Sequence, residues 1–116
     1  MNKDRWFSVK LRFAIMVEPI GASTMNDCLF LLKANDFDSA FKKAIKIGVG
    51  AQKDYLNALG QKVQWKFSEI ISLDVINSDN LDGAEIYSEP LHLEGQAIIP
   101  LDANFSPEAS RPIQTL

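Results

Sequence analysis

The side chains best able to do chemistry in this chain are one histidine, one cysteine and a few closely spaced carboxylates. His92 has the imidazole that serves elsewhere as a general base or metal ligand. It lies in a proline-containing stretch with only Glu89 and Glu94 nearby to act with it. Cys28 opens the apolar run Cys28-Leu29-Phe30-Leu31-Leu32, where a thiol is ordinarily packed and inert, and no histidine is close in sequence to activate it. Asp36 with Asp38, and Asp79 with Asp82, have a spacing that suits paired acid and base work. Both pairs fall where a helix cap or a polar turn already calls for Asp. Gly48-Val49-Gly50 is too short for a dinucleotide fingerprint and follows a helical pattern, whereas a phosphate loop precedes its helix. An enzyme would have to draw on Tyr55, Tyr87, His92 or a carboxylate in a cleft between helix and tail. No spacing makes these groups converge, so the expectation is a protein that is not an enzyme, with no metal and no cofactor.

The composition sets the frame for these residues. At 116 residues, 47% hydrophobic and 23% charged, the chain has the size and make-up of one domain with one core. A lone cysteine excludes an intrachain disulfide and a cysteine-rich zinc site, and it suits a reducing compartment. The N-terminus lacks the apolar core of a signal peptide, and no apolar run approaches the roughly 20 residues that span a bilayer. The expected location is the cytoplasm, away from membranes. The net charge of −3 hides an asymmetry. Residues 1–66 hold eleven Lys and Arg against six Asp and Glu, or +5, while residues 67–116 hold one against nine, or −8.

Hydrophobic periodicity supplies the elements. Phe7, Val9, Leu11, Phe13, Ile15 and Val17 alternate with Ser8, Lys10 and Arg12, which predicts a long strand with one buried face. A Pro and Gly turn separates it from a second, antiparallel strand over Cys28–Ala34. Asp36 is placed to cap a helix in which Phe37, Ala40, Phe41, Ala44 and Ile45 recur every three or four residues, with Lys42, Lys43 and Lys46 on its outer face. Gly48 or Gly50 is expected to end it, with a further turn through Lys53 as the alternative. Tyr55–Ala58 reads as a short strand entering a turn at Leu59-Gly60-Gln61-Lys62. The long strand that leaves it has Val63, Trp65, Phe67, Ile71, Leu73 and Val75 on one face, with Glu69 as the expected bulge. Ala84–Ser88 is the expected last strand. The predicted fold is α+β, an antiparallel sheet of about five strands on one main helix in the order β-β-α-β-β-β. The α+β domain covers residues 1–89, and residues 90–116 form a Pro-containing extension packed on the domain or on a partner subunit.

Three stretches carry a resemblance to a known family: Trp6-Phe7-Ser8-Val9-Lys10-Leu11, Ala34 through the helical Ala40-Phe41-Lys42-Lys43-Ala44, and Tyr55 through Phe67. They resemble the bacterial family named domain of unknown function 4288, loosely over residues 6–88. The most specific piece, Tyr-x-Asn-x-x-Gly-x-x-Val-x-Trp-x-Phe, reads as turn chemistry plus core packing rather than an active site. The resemblance implies a fold and no activity, and nothing is carried onto residues 90–116.

The signal left over is basic. Lys10 and Arg12 share one parity on the first strand, Lys62, Gln64 and Lys66 share one on the long later strand, and Trp6 lies on the former face. Neighbouring strands would join these into a possible binding surface of Trp6, Lys10, Arg12, Lys62 and Lys66. Such a stripe suits single-stranded nucleic acid in principle, but a pI of about 5.0 speaks against it. The acidic, apolar segment 89–105 suits it better, with Leu and Ile covering Trp6 and Met16 while Glu89, Glu94 and Asp102 face the cations. The expected function is a small non-catalytic binding or protein-interaction domain, a homodimer or the partner of another protein, because exposed sheet edges must be covered or used.

Overall fold

The computed structural model describes residues 3–91 and 99–113, with residues 22 and 23 described through their backbone only. Its architecture is α+β. Two long strands, β1 (Arg5–Val17) and β2 (Gly21–Ala34), form an antiparallel hairpin. Helix α1 (Phe37–Gly50) follows, then a short strand β3 (Lys53–Leu56) and a long strand β4 (Lys62–Val75). All pairings are antiparallel and the spatial order is β2-β1-β4-β3. The sheet therefore has four strands rather than five. Ala84–Ser88 is not a strand; the polar turn over Asn77–Gly83 is held by Ser78 and Asn80 side chains on nearby backbone groups, and the chain leaves it without sheet pairing. A single one-turn 3₁₀ helix, Pro107–Ala109, is the one regular element described in the extension.

The core forms where the helix lies on one face of the sheet. Val9, Leu11 and Phe13 are fully buried there, joined by Phe7, Leu32, Ala34, Ala40 and Ala44. Small residues at helix positions 40, 44 and 48 let the backbone approach the sheet closely. The helix ends at Gly50, one of the two expected positions, and Gly48 lies inside it, packed on the Phe67 ring so that a Cβ would lie 2.6 Å from the ring carbons. Asp36 caps the first turn as its position predicts, accepting from the Ser39 N–H at 2.7 Å. Trp65 and Phe67 are half-buried flanks of the core, tilted against Phe13 at centroid distances of 6.2 and 5.8 Å.

Two other departures follow from strand irregularity. β2 begins at Gly21, well before Cys28, since its polar first half pairs with the end of β1; Gly21 takes the positive φ of 94° that lets the chain turn there. On β4, the register moves from Lys10↔Ser72 to Leu11↔Ile70 and from Arg12↔Glu69 to Phe13↔Phe67. The extra residues are Ile71 and Ser68, so the bulge expected at Glu69 falls on the adjoining Ser68 while Glu69 itself pairs with Arg12. Ile70 takes the inward place that strict alternation assigns to Ile71.

The turn before β4 explains the Tyr55-to-Phe67 pattern. Asn57 Oδ1 accepts from the N–H groups of Leu59 and Gln61, both at 2.9 Å, and Gly60 has a φ of 76°. Across the β3–β4 pair, Tyr55 Oη accepts from Trp65 Nε1 at 3.2 Å and the Lys53 ammonium stands 4.4 Å from the Trp65 ring centre.

Candidate interaction surface

The face of the sheet away from the helix is set by register. Reading across β2, β1 and β4, its rows are Leu31, Ser8 and Asp74; Leu29, Lys10 and Ser72; Asp27, Arg12 and Glu69; then Met25, Ala14 and Lys66. Trp6 and Lys33 stand opposite each other at one end, and Lys62 pairs with Leu56 near the other. The strand order thus brings Trp6, Lys10, Arg12, Lys62 and Lys66 onto one face.

Cross-strand partners occupy several of these groups. Arg12 donates two hydrogen bonds to Asp27, at 2.8 and 2.9 Å, and lies 3.7 Å from Glu69. This guanidinium holds the Asp27 carboxyl below the usual carboxylate range, and Asp27 in turn pushes the Arg12 value up. Lys10 donates to the Tyr87 hydroxyl at 2.8 Å, which raises its pKa, and its ammonium stands 4.6 Å from that ring centre. Lys33 lies 4.9 Å from the Trp6 ring centre. Asp27, Glu69, Asp74 and Asp54 interleave with the cations, so the face is a mosaic of both signs rather than a continuous basic stripe.

An apolar row lies beside this mosaic. Met25, Leu29 and Leu31 are 56%, 46% and 42% exposed, all on the open face of β2. β2 is an edge strand, and among the described residues no strand pairs with its outer side over the 14 residues from Gly21 to Ala34. At one end the Ile76 N–H donates to the Trp6 carbonyl at 2.8 Å, so Trp6 turns its backbone groups toward the β4 side and those of Lys33, directly opposite on β2, face outward; the Lys43 ammonium donates to that Lys33 carbonyl at 3.0 Å. Sequence reasoning expects exposed sheet edges to be covered or used but does not single out β2 or its apolar row, although a signal is present: an unbroken apolar run, Cys28–Leu32, marks a strand that is apolar on both faces.

The other candidates from the sequence are dispersed. Cys28 is half-buried on the helix side, opposite Leu11. Asp36 serves the helix cap, where the Ser39 backbone N–H lowers its pKa, and Asp79 pairs with Lys3 at 3.1 Å on the surface. Tyr55 and Tyr87 serve Trp65 and Lys10. His92 and Glu94 lie outside the described residues. Among the described residues no three His, Cys, Asp or Glu side chains come together in a way that would hold a metal. An open cleft of about 670 Å³ at the helix start includes Lys3, Arg5, Asp36, Phe37 and Asp74 in its lining, and does not join the helix to the extension.

Among the described residues no helix is long and apolar enough to cross a membrane. No curated protein and no solved structure matches the chain. The family described as Domain of unknown function (DUF4288) is matched over residues 6–88, which takes in the hairpin, the helix and the whole of β3 and β4, and the chain belongs to that family.

Proposed function

We propose that this chain is a small, non-catalytic protein-interaction domain of the cytoplasm that binds by strand addition at β2, with a second copy of itself as the first partner. The observation that carries the reading is the open outer edge of β2 beside the exposed row Met25, Leu29 and Leu31. A long apolar edge strand is a template for pairing, and proteins either blunt it or use it. Blunting is slight here: Asp27 is tied to Arg12 and the Lys33 ammonium is drawn over Trp6, so neither charge lies free along the edge.

The extension from residue 90 takes part through a partner subunit in the same reading. Leu91, Ile99, Leu101, Phe105 and Ile113 are exposed within their own chain, and burying such side chains is worth about 1.5–3 kcal/mol each. Asp27, Glu69 and Asp74 share the face with the cations and repel phosphate, which supports a protein partner over nucleic acid.

Sedimentation of the full chain over a wide concentration range tests the proposal. A concentration-dependent dimer supports it; a monomer at every concentration overturns self-association as the function of the edge.

A further inference from the structure

We infer that two copies join β2 to β2 across a twofold axis through Phe30, forming one continuous eight-stranded antiparallel sheet. The inference rests on the interaction reading above and adds its geometry. A twofold axis perpendicular to a sheet makes the paired strands antiparallel and keeps open face with open face, so it must pass through a residue of β2. The choice of residue is then a question of chemistry. With the axis at Phe30, Leu29 stands opposite Leu31 of the partner subunit, and Asp27 stands opposite Lys33 of the partner subunit, each twice by symmetry. Every other axis between Asp27 and Lys33 sets a charge against a leucine or a charge against its own like. Only Phe30 pairs leucine with leucine and opposite charge with opposite charge.

The surroundings agree with this register. The outward Lys33 backbone groups, opposite a Trp6 carbonyl that faces the β4 side, fix the pleat: the odd-numbered residues of β2 present their backbone groups outward, so residues 29 and 31 can hydrogen-bond across the axis. The Lys33 carbonyl keeps a second lone pair for the partner while Lys43 holds the first. On the open face, Asp27 already carries the Arg12 guanidinium, and Lys33 already stands over Trp6. Their meeting across the axis links Trp6, Lys33, Asp27 and Arg12 into a charge network that runs through both copies.

The register has a crosslinking test on the full chain. In a Cys28→Ser background, Leu29→Cys and Leu31→Cys variants are prepared separately, oxidised alone and as a mixture, and resolved by non-reducing electrophoresis. Directly opposed Cα atoms fall within disulfide reach, and diagonal ones fall beyond it. The expected result is a crosslinked dimer at least fivefold more abundant in the mixture than in either variant alone. A Leu29→Lys/Leu31→Lys double variant should raise the dimer dissociation constant at least tenfold without changing the circular dichroism of the fold. A stable dimer that shows no preference for the mixed crosslink overturns the Phe30 register while leaving the interaction reading in place. A chain that is monomeric before any substitution overturns both.

Discussion

Gly48 on the helix and Phe67 on β4 meet so closely that a Cβ on the glycine would lie 2.6 Å from the ring. The contact is to the Cγ, Cδ2 and Cε2 atoms, near the base of a half-buried ring that also packs on Phe13, so the ring has little freedom to withdraw. Gly48→Ala therefore sets two effects against each other. Alanine favours the helix by about 1 kcal/mol over glycine, whereas overpacking costs about 1–3 kcal/mol. We expect the clash to win and the melting temperature to fall. Thermal denaturation followed by circular dichroism decides it, and a variant as stable as the parent would show that helix and sheet separate at little cost.

Asn57 and Gly60 should carry the turn before β4. Asn57→Ala removes the acceptor of two backbone N–H groups and should cost about 1 kcal/mol, since water can replace the lost partner in part. Gly60→Ala forces a Cβ into a left-handed conformation, at about 1–2 kcal/mol. Urea denaturation of both variants measures this; a negligible change in either midpoint would remove that residue from the turn's stability.

The two bulges of β4 mark where the sequence stopped being a reliable guide. Alternation identified β1 fully, because no extra residue interrupts its inward row from Phe7 to Phe13. The Asp36 cap and the Asn57-to-Gly60 turn were also readable, since each depends on a local side-chain-to-backbone bond. Counting in twos places Ile71 inward, but Ser68 and Ile71 are the extra residues and the inward place goes to Ile70. A bulge is set by pairing with a strand far away in the chain, which periodicity cannot see. The open face meets the same limit: the cations of β1 are legible alone, but the acids opposite them belong to β2 and β4. Gly48 shows the same limit, since the ring that demands a glycine there lies on β4.

A pair of substitutions tests the bulge directly. Ile70→Ala, on a side chain packed against the core, should cost about 2 kcal/mol, near the low end for a large-to-small change because the residue is half-buried. Ile71→Ala, on a side chain that is 37% exposed, should cost less than about 1 kcal/mol. Chemical denaturation of the two variants ranks them, and the reverse order would restore strict alternation along β4.

Acid should destabilise the fold through Asp36 and Asp27. Both carboxyls are held below their ordinary value of 3.8, Asp36 by the Ser39 backbone N–H and Asp27 by Arg12. A carboxyl with a depressed folded-state pKa contributes stability that is fully present above the unfolded value and lost as pH falls through the folded one. Melting temperature should thus hold steady from neutral pH to about pH 5 and decline below it. Asp36→Asn keeps a capping acceptor that does not titrate, so its acid decline should be shallower than the parent's. An identical decline in both would mean that the cap's charge contributes nothing.

Truncation after Ser88 separates the domain from its extension and asks where the extension belongs. Tyr87 is retained, so Lys10 keeps its partner, and every strand and the main helix remain. Leu101, Phe105 and Ile113 lie open to solvent in the single chain, so their removal should take little from the stability of an isolated subunit. Their loss should be felt in assembly, where burial of one such side chain is enough for a tenfold change in affinity at about 1.4 kcal/mol. The expected result is an unchanged melting temperature under dilute, monomeric conditions and a dimer dissociation constant at least tenfold higher by sedimentation. A lower melting temperature in the dilute monomer would instead assign the extension to its own domain. An unaltered dimer would leave the β2 edge to account for self-association alone.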